Sequence, residues 1–161
     1  MLIIIEGLAM CFLLLVVCVV GIADGPAGLV VFYEDDVKKR AVELGLITEE
    51  RIKRNNLIAS LAVTLPMLLL VPVMVYHVNG ARGFSDILWQ ITLIYWIECL
   101  FDRLFIDYYW VGHTKAWFIE GTEDLMPYIP KKTVIRKWLG TIIGKPVIAL
   151  IVTAAVCFLS R

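Results

Sequence analysis

Four ionisable residues interrupt one long apolar stretch of this sequence. Glu98, Asp102, Arg103 and Asp107 lie within residues 87–111, a run otherwise rich in Ile, Leu, Phe, Tyr and Trp. Ionisable side chains in an apolar segment long enough to cross a bilayer are costly, and they usually face protein or water and take part in function. We therefore expect Glu98 and Asp102 to bind an ion, a proton or a polar group of a substrate.

Helical periodicity predicts that these residues lie on two faces. At about 100° per residue, Glu98 and Asp102 share one stripe, which continues toward His113. Arg103 and Asp107 lie on another face, four residues apart, where an ion pair is expected. A purely structural interpretation is also open. In that interpretation, Arg103 pairs with Asp107, while Glu98 and Asp102 stay protonated and hydrogen-bond to neighbours.

Further ionisable residues extend the pattern across the predicted membrane. Glu6 and His77 are predicted in its outer third. Glu98 is about 16 Å from the start of its apolar run, near the midplane, and the other charged residues of that run lie toward the cytoplasm. Chains of acids and histidines mark ion pathways and proton relays, so these residues predict a polar route if their helices face one another. Alternatively, Glu6 extends to the lipid head groups.

A second group of residues suited to chemistry begins at the end of this stretch. A histidine there is a possible general base, and the carboxylates that follow could bind a divalent cation such as Mg²⁺. The catalytic candidates in this interpretation are His113, Asp107, Glu120, Glu123 and Asp124. Nearby basic residues would attract anionic lipid head groups. The alternative is an ordinary surface segment with a helix cap at Thr122.

Four apolar blocks must position these residues. Hydrophobic residues make up 60% of the chain, against roughly 45–50% in globular proteins, and each block has about the 20 residues that cross a bilayer. We predict an all-α integral membrane protein with a single membrane domain, residues 1–161. Its four transmembrane helices are expected at about residues 2–23, 57–78, 87–111 and 138–159. The first block lacks the basic n-region of a cleaved signal peptide, so we expect it to be retained.

Charge in the connecting segments predicts the orientation. Segments 24–56 and 112–137 hold most of the Lys and Arg residues, whereas the other side carries only Arg82 and Arg161. By the positive-inside rule, both segments are cytoplasmic and both termini are outside, as expected for a multi-pass protein of the cell (inner) membrane. The formal net charge is zero, so no nucleic-acid partner is expected.

Proline and glycine mark places where the helices should depart from regular geometry. Pro66 and Pro72 each remove a backbone donor and free the carbonyl four residues earlier, which a neighbouring helix or water must satisfy. Residues 144–146, Gly-Lys-Pro, interrupt the fourth span. Gly140 and Gly144 have the spacing of close helix contacts, within the subunit or between subunits.

The first polar segment contains a predicted turn between two helices. A short helix should end at Gly45, and Thr48 should cap the helix that leads into the second span. The string Glu43–Glu50, ELGLITEE, resembles the short helix–turn–helix tail motif named SHOCT, which would imply oligomerisation. An interfacial linker with ordinary capping residues is the alternative.

Two functions fit these observations. The leading one is a small multi-pass transporter or channel-like subunit with an ion, proton or polar-substrate site at Glu98 and Asp102, and with Arg103, Asp107 and His113 shaping the inner mouth. The alternative is a membrane-embedded enzyme that acts on a lipid or isoprenoid substrate at the cytoplasmic interface and uses a divalent cation. A non-catalytic assembly subunit is a third possibility. The expected partners are membrane lipids and either further copies of the chain or a partner membrane subunit, because four helices enclose little interior.

Overall fold

Helices form almost the whole structure. The computed structural model describes residues 1–160, of which none forms a strand, and helix accounts for 82% of it. The predicted all-α class is therefore confirmed. Arg161, which contributed to the charge argument above, lies outside the described residues.

Four helices are long and apolar enough to cross a membrane, which is consistent with a multi-pass membrane protein. With the short helix of the first polar segment, the helices are α1 (Leu2–Gly21), α2 (Asp35–Glu43), α3 (Glu49–Val78), α4 (Phe84–Val111) and α5 (Lys131–Leu159). Short 3₁₀ segments occur at Pro26–Phe32, Lys115–Trp117 and Glu123–Leu125. The two polar segments, which follow α1 and α4, lie at one end of the bundle. We call this end the basic end, and we call the other end of the bundle the opposite end.

Three of the long helices begin earlier than hydropathy predicts. Helix α3 starts at Glu49 instead of residue 57, because the Thr48 hydroxyl caps it by accepting a hydrogen bond from the Arg51 backbone N–H at 3.2 Å. Helices α4 and α5 likewise begin before their apolar cores. An apolar window detects only the part of a helix that could lie in lipid, whereas the helix itself continues through polar residues.

Wide π-helical turns occur inside three of these helices. They cover Pro66–Leu70, Met74–Val78, Asp102–Val111 and Gly140–Gly144. A π turn is closed by bonds between residues five apart. It therefore changes which side chains share a face of the helix.

Aromatic side chains of α4 satisfy two carbonyls that prolines leave free. The Tyr95 hydroxyl donates to the Met67 carbonyl at 2.8 Å, and the Trp96 indole N–H donates to the Thr141 carbonyl at 3.0 Å. Each carbonyl lies in a π turn, five residues before a proline that has no N–H to offer. These prolines are Pro72 and Pro146. For Pro72, the predicted need for a partner is met by α4, five residues before the proline instead of four. Pro146, for which no free carbonyl was predicted, has the same arrangement.

Helix α4 is central to the bundle. It packs along α1 and α5, while α3 packs against α1 and the Pro26–Phe32 turn and reaches α4 and α5 around Val71–Val73. In the most apolar part of α4, 39% of the residues are buried, against 17% in α5. Helix α4 is therefore the element that brings residues of the other helices together.

Two apolar cores lie at the two ends of the bundle. The core of the opposite end includes Met10, Val71, Val75, Ile91 and Ile94. The core of the basic end includes Leu14, Val30, Trp117, Ile119 and Tyr128. Along α4, Glu98, Asp102 and Arg103 lie between these two cores, and Asp107 follows Ile106 of the basic-end core.

The glycine pair of α5 makes no close contact within the subunit. A Cβ added at Gly140 or Gly144 would meet nothing within 4 Å. Close packing at a glycine does occur elsewhere, since a Cβ at Gly28 would lie 2.1 Å from the Gly21 carbonyl oxygen. Contact within the subunit is therefore not the role of Gly140 and Gly144.

Candidate functional site

A cavity of about 310 Å³ lies among α1, α3, α4 and α5 on the side toward the basic end. At about 30 Å³ per water, this is room for on the order of ten waters. We call it the central cavity. Its lining includes six side chains of acidic and basic type: Glu98, Asp102, Arg103 and Asp107 of α4 and Lys137 and Lys145 of α5.

The α4 residues share this cavity because the helix widens. The expectation that Arg103 and Asp107 lie on another face than Glu98 and Asp102 is wrong for this structure. Residues Asp102–Val111 form a π-helical segment, in which positions five apart are one turn apart. Asp102 and Asp107 therefore lie on the same side of the helix, and both contact Arg103.

Four of the six charges compensate one another, and we call them the inner tier. Arg103 pairs with Asp102 at 2.6 Å and also with Asp107. The Lys137 ammonium donates to both carboxylate oxygens of Asp107, at 2.8 and 3.0 Å. The side chains are only 13–24% exposed. The predicted pair of Arg103 with Asp107 is confirmed, and Asp102 belongs to the same network.

The other two charges, Glu98 and Lys145, form what we call the deep tier. Glu98 is 4% exposed, and its carboxylate accepts only from the neighbouring Cys99 thiol, at 3.3 Å. The Lys145 ammonium donates to the Met67 sulfur at 3.2 Å and lies 5.5 Å from the centre of the Tyr95 ring. Within residues 1–160, neither group has an ion-pair partner within 4.0 Å.

Glu98 and Lys145 lie at a similar depth in the bundle. The ion pair of Lys137 with Asp107 fixes the relative position of α4 and α5. Glu98 lies nine residues before Asp107, and Lys145 lies eight residues after Lys137, so both are about two helical turns further toward the opposite end. Met67, the Lys145 contact, also lines a small recess with Glu98. An acid and a base thus approach one end of the cavity from neighbouring helices.

Several hydrogen-bond donors around the cavity have no acceptor. The Trp117 indole N–H and the Arg103 Nε–H are buried without a partner among the described residues. Both side chains line the central cavity. Buried polar groups are normally paired, and leaving one unpaired costs free energy. Beside them, Tyr33 donates to the Trp117 carbonyl at 3.3 Å, and burial raises the pKa of Tyr33, which keeps this phenol neutral.

A second cavity, also of about 310 Å³, lies between α4 and α5 at the basic end, and we call it the interface groove. Exposed Tyr108 and His113 line it together with Trp138, and the His113 Nδ1 lies 2.6 Å from the Tyr108 carbonyl oxygen. Arg103 and Asp107 line both cavities. The inner tier therefore forms part of the wall between them, at the place predicted for the inner mouth.

In the acidic loop that follows α4, Glu123 and Asp124 form hydrogen bonds that hold the loop in its fold. Glu123 accepts from the Gly121 N–H at 3.0 Å, and its pKa is lowered by backbone N–H groups. Asp124 forms two hydrogen bonds with Arg40, at 3.1 and 3.2 Å, which raise the pKa of Arg40. Glu120 is exposed, and none of the three acids lines the interface groove. The structure therefore does not bring the proposed catalytic set together.

A metal centre is not apparent either. Among the described residues, no group of three or more His, Cys, Asp or Glu side chains could hold a metal ion.

The residues predicted in the outer third separate from one another. Glu6 is buried and does not extend to the surface, because the Asn79 amide donates to its carboxylate at 2.9 Å. The same amide donates to Gln90 at 2.9 Å, and Gln90 donates to Asp86 at 2.9 Å. His77 is exposed and packs edge-on to its neighbour Tyr76. Glu6 thus belongs to a network at the opposite end, and His77 does not face it.

Three site residues were missed by sequence reasoning. Lys137 was counted only among the basic residues of its segment, Lys145 was noted only as part of the Gly-Lys-Pro interruption, and Trp117 only as part of the loop. The sequence did carry a signal for Lys145. A lysine within an apolar span is a functional candidate for the same reason as Glu98, because ionisable side chains in such spans usually take part in function. The sequence carried no comparable signal for Trp117, which reaches the cavity through the fold of the loop.

Comparisons with known proteins identify no family for this chain. No family model matches the chain, and no curated protein or solved structure matches it. The class that the fold defines is a small all-helical protein with four helices able to span a membrane. The resemblance of Glu43–Glu50 to SHOCT rests on those residues alone.

Proposed function

We propose that the protein is a small multi-pass membrane transporter or channel-like subunit that moves a polar solute or an ion through the central cavity. The observation that carries the proposal is the deep tier, in which Glu98 and Lys145 flank the cavity without ion-pair partners. Glu98 is buried and Lys145 is half-buried. Buried charges without partners cost free energy, and charges within membrane spans typically mark a substrate or ion pathway. A purely structural role offers no compensation for that cost.

The surroundings of the cavity suit access from the basic end. The inner tier separates the central cavity from the interface groove, so rearrangement of its ion pairs would open or close a passage between them. Toward the opposite end, the bundle is filled by apolar side chains such as Met10, Ile91 and Ile94. A site that is closed on one side is the arrangement that alternating access requires.

All the residues that line the cavity come from one chain, so this proposal does not depend on an oligomer. The expected homo-oligomer or partner membrane subunit stays a prediction, as do binding of membrane lipids and a location in the inner membrane. The free Gly140–Gly144 face of α5 is compatible with such a contact.

The direct test is uptake from a mixture. Proteoliposomes that contain the wild type, Glu98→Gln or Glu120→Gln would be incubated with a mixture of small polar metabolites and salts. Their contents would then be analysed by mass spectrometry and elemental analysis. We expect at least one solute or ion to accumulate in wild-type and Glu120→Gln vesicles, but at least tenfold less in Glu98→Gln vesicles. Glu120 is the matched control because it is an exposed acid outside both cavities. Identical contents in all three would refute the proposal.

Native cysteines give an independent check on cavity access. Cys18 and Cys99 line the central cavity, whereas Cys11 and Cys157 do not. A small hydrophilic thiol reagent should modify the first two faster than Cys11, which is also buried. Equal, very slow modification of all three would mean that water does not reach the site.

A second function, an enzyme that acts on an amphipathic substrate, is favoured by the interface groove alone. Its exposed histidine and tyrosine lie beside Asp107 at the end of the bundle where a lipid head group would lie. Because the loop acids are elsewhere, this chemistry would rest on His113 and Asp107. Lipid turnover that depends on His113 and is indifferent to Glu98 would select the enzyme over the transporter.

A further inference from the structure

We infer that the solute of the central cavity carries both a cationic and an anionic group, as a free amino acid does. The inference rests on the proposed function and narrows the substrate class. It follows from which charges around the cavity are already compensated and which are not.

The inner tier contributes no net charge that a ligand could neutralise. Its two acids and two bases are all joined by ion pairs. A ligand that binds near them meets a network already satisfied in charge. The site's demand for charge therefore comes from the deep tier.

The deep tier offers one acid and one base, and neither has an ion-pair partner within 4.0 Å among the described residues. A simple cation would compensate Glu98 but would be repelled by Lys145 at a similar depth. A simple anion would compensate Lys145 and be repelled by Glu98. A ligand that carries an ammonium and a carboxylate compensates both, so a zwitterion fits this pair better than either singly charged solute.

The unused hydrogen-bonding groups agree with this assignment. The unpaired N–H groups of Trp117 and Arg103 and the ammonium of Lys145 are donors suited to the oxygens of an anionic group. The Glu98 carboxylate, which accepts only from a thiol, is an acceptor suited to an ammonium group. Donors and acceptors of a zwitterion would each find a partner in the same cavity.

The volume limits the size of the solute. A cavity of about 310 Å³ holds on the order of ten waters, and therefore a solute of roughly ten non-hydrogen atoms. This is the size of a single amino acid.

The experiment uses the full-length protein in detergent and matched ligands that differ only in charge. Unfolding temperature would be measured with the proteinogenic amino acids, γ-aminobutyrate and glycine betaine. Each protective amino acid would be compared with its N-acetyl derivative, which is only an anion, and with its amide, which is only a cation. We expect a zwitterion at about 100 times its Kd to raise the unfolding temperature by roughly 5–10 °C. The two blocked analogues should protect far less.

Two variants test the role of each charge. Glu98→Gln and Lys145→Gln should each weaken zwitterion binding at least tenfold, whereas Glu120→Gln should leave it unchanged. Lys145→Gln has a further expected result that a merely destabilised variant would not show. The cation-only amide should bind to the Lys145→Gln variant as well as the zwitterion does, because the ammonium of Lys145 that repels a cation is gone.

Two outcomes would overturn the inference. One is that no zwitterion in the panel protects the wild type, and the other is that a singly charged analogue protects as well as its zwitterion. Neither depends on a variant folding. If the uptake experiment finds a Glu98-dependent solute with one charge, the proposed function holds and this inference fails. If uptake shows no dependence on Glu98, the proposed function itself fails.

Discussion

Asp107 connects the two bases of the inner tier, so removing its charge tests the network directly. Its carboxylate accepts from Lys137 at 2.8 and 3.0 Å and also pairs with Arg103. Asp107→Asn keeps the shape of the side chain but leaves Lys137 without an acid within 4.0 Å among the described residues. Removing one partner of a buried pair costs about 3–5 kcal/mol. Because these side chains are 14% and 24% exposed, we expect the lower figure, about 3 kcal/mol.

A double-mutant cycle separates the pair from its surroundings. Lys137→Met removes one cation but leaves Asp107 paired with Arg103, so it should cost less, about 1–2 kcal/mol. In the double variant, neither charge is left unpaired. We expect a coupling free energy of about 1.5–2 kcal/mol between the two positions, within the range found for residues in one ion-pair network. The same cycle on Arg40 and Asp124, whose side chains are 36% and 62% exposed, is the control and should give a much smaller coupling free energy, because solvent screens exposed pairs.

The measurement is reversible unfolding of the purified protein in detergent micelles, followed by helical circular dichroism. A loss of about 3 kcal/mol should lower the unfolding temperature by roughly 6–12 °C for a chain of this size. Effects of Asp107→Asn and Lys137→Met that add within about 0.5 kcal/mol would show that the two residues are independent. So would a coupling free energy no larger than that of the exposed control pair. Either result would refute the proposed network.

Two further predictions concern the helix contacts and the loop. Tyr95→Phe removes the donor to the Met67 carbonyl and should lower the free energy of unfolding by about 1–2 kcal/mol. Trp89→Phe, at an exposed position, is the control and should change it little. Equal effects of the two variants in the same unfolding assay would contradict this prediction. The lowered pKa of Glu123 means that its contribution to loop stability is present above its ordinary pKa of 4.5 and is lost as pH falls through the lower folded-state pKa. Hydrogen exchange of the Gly121 N–H, corrected for intrinsic rates, should therefore accelerate as pH falls through the lowered pKa of Glu123. The same acceleration in Glu123→Gln would exclude the carboxylate as its cause.

The sequence was informative about features that depend on one turn of helix or on one apolar block. Bilayer-length apolar blocks predicted the four long helices, and the capping role of Thr48 followed from its side chain and its position. The pairing of Arg103 with Asp107 followed from a spacing of four residues. Such features depend on contacts that close neighbours in the chain must make, whatever the rest of the fold does.

Some of the predicted site residues could not be assigned correctly from periodicity. A regular α-helix was assumed through Asp102–Val111, and this separated Arg103 and Asp107 from the acid stripe. The π-helical segment brings them to the same cavity, and no residue in that segment signals a π turn by type alone. The prediction that Glu6 and His77 line one polar route failed for a different reason. The rotation of each helix about its axis decides whether these two side chains face each other.

The sequence by itself therefore determined the helices, the place of the charges along them and the pairs within one turn. Only the tertiary structure decided which charges meet across helices. It brought Lys137 to Asp107, Lys145 to the level of Glu98, and Trp117 from a loop to the cavity wall. The physical reason is that a side chain's depth follows from counting residues, whereas its partner depends on the mutual rotation of whole helices. That rotation is set by packing, by π turns and by the hydrogen bonds that satisfy carbonyls freed by proline.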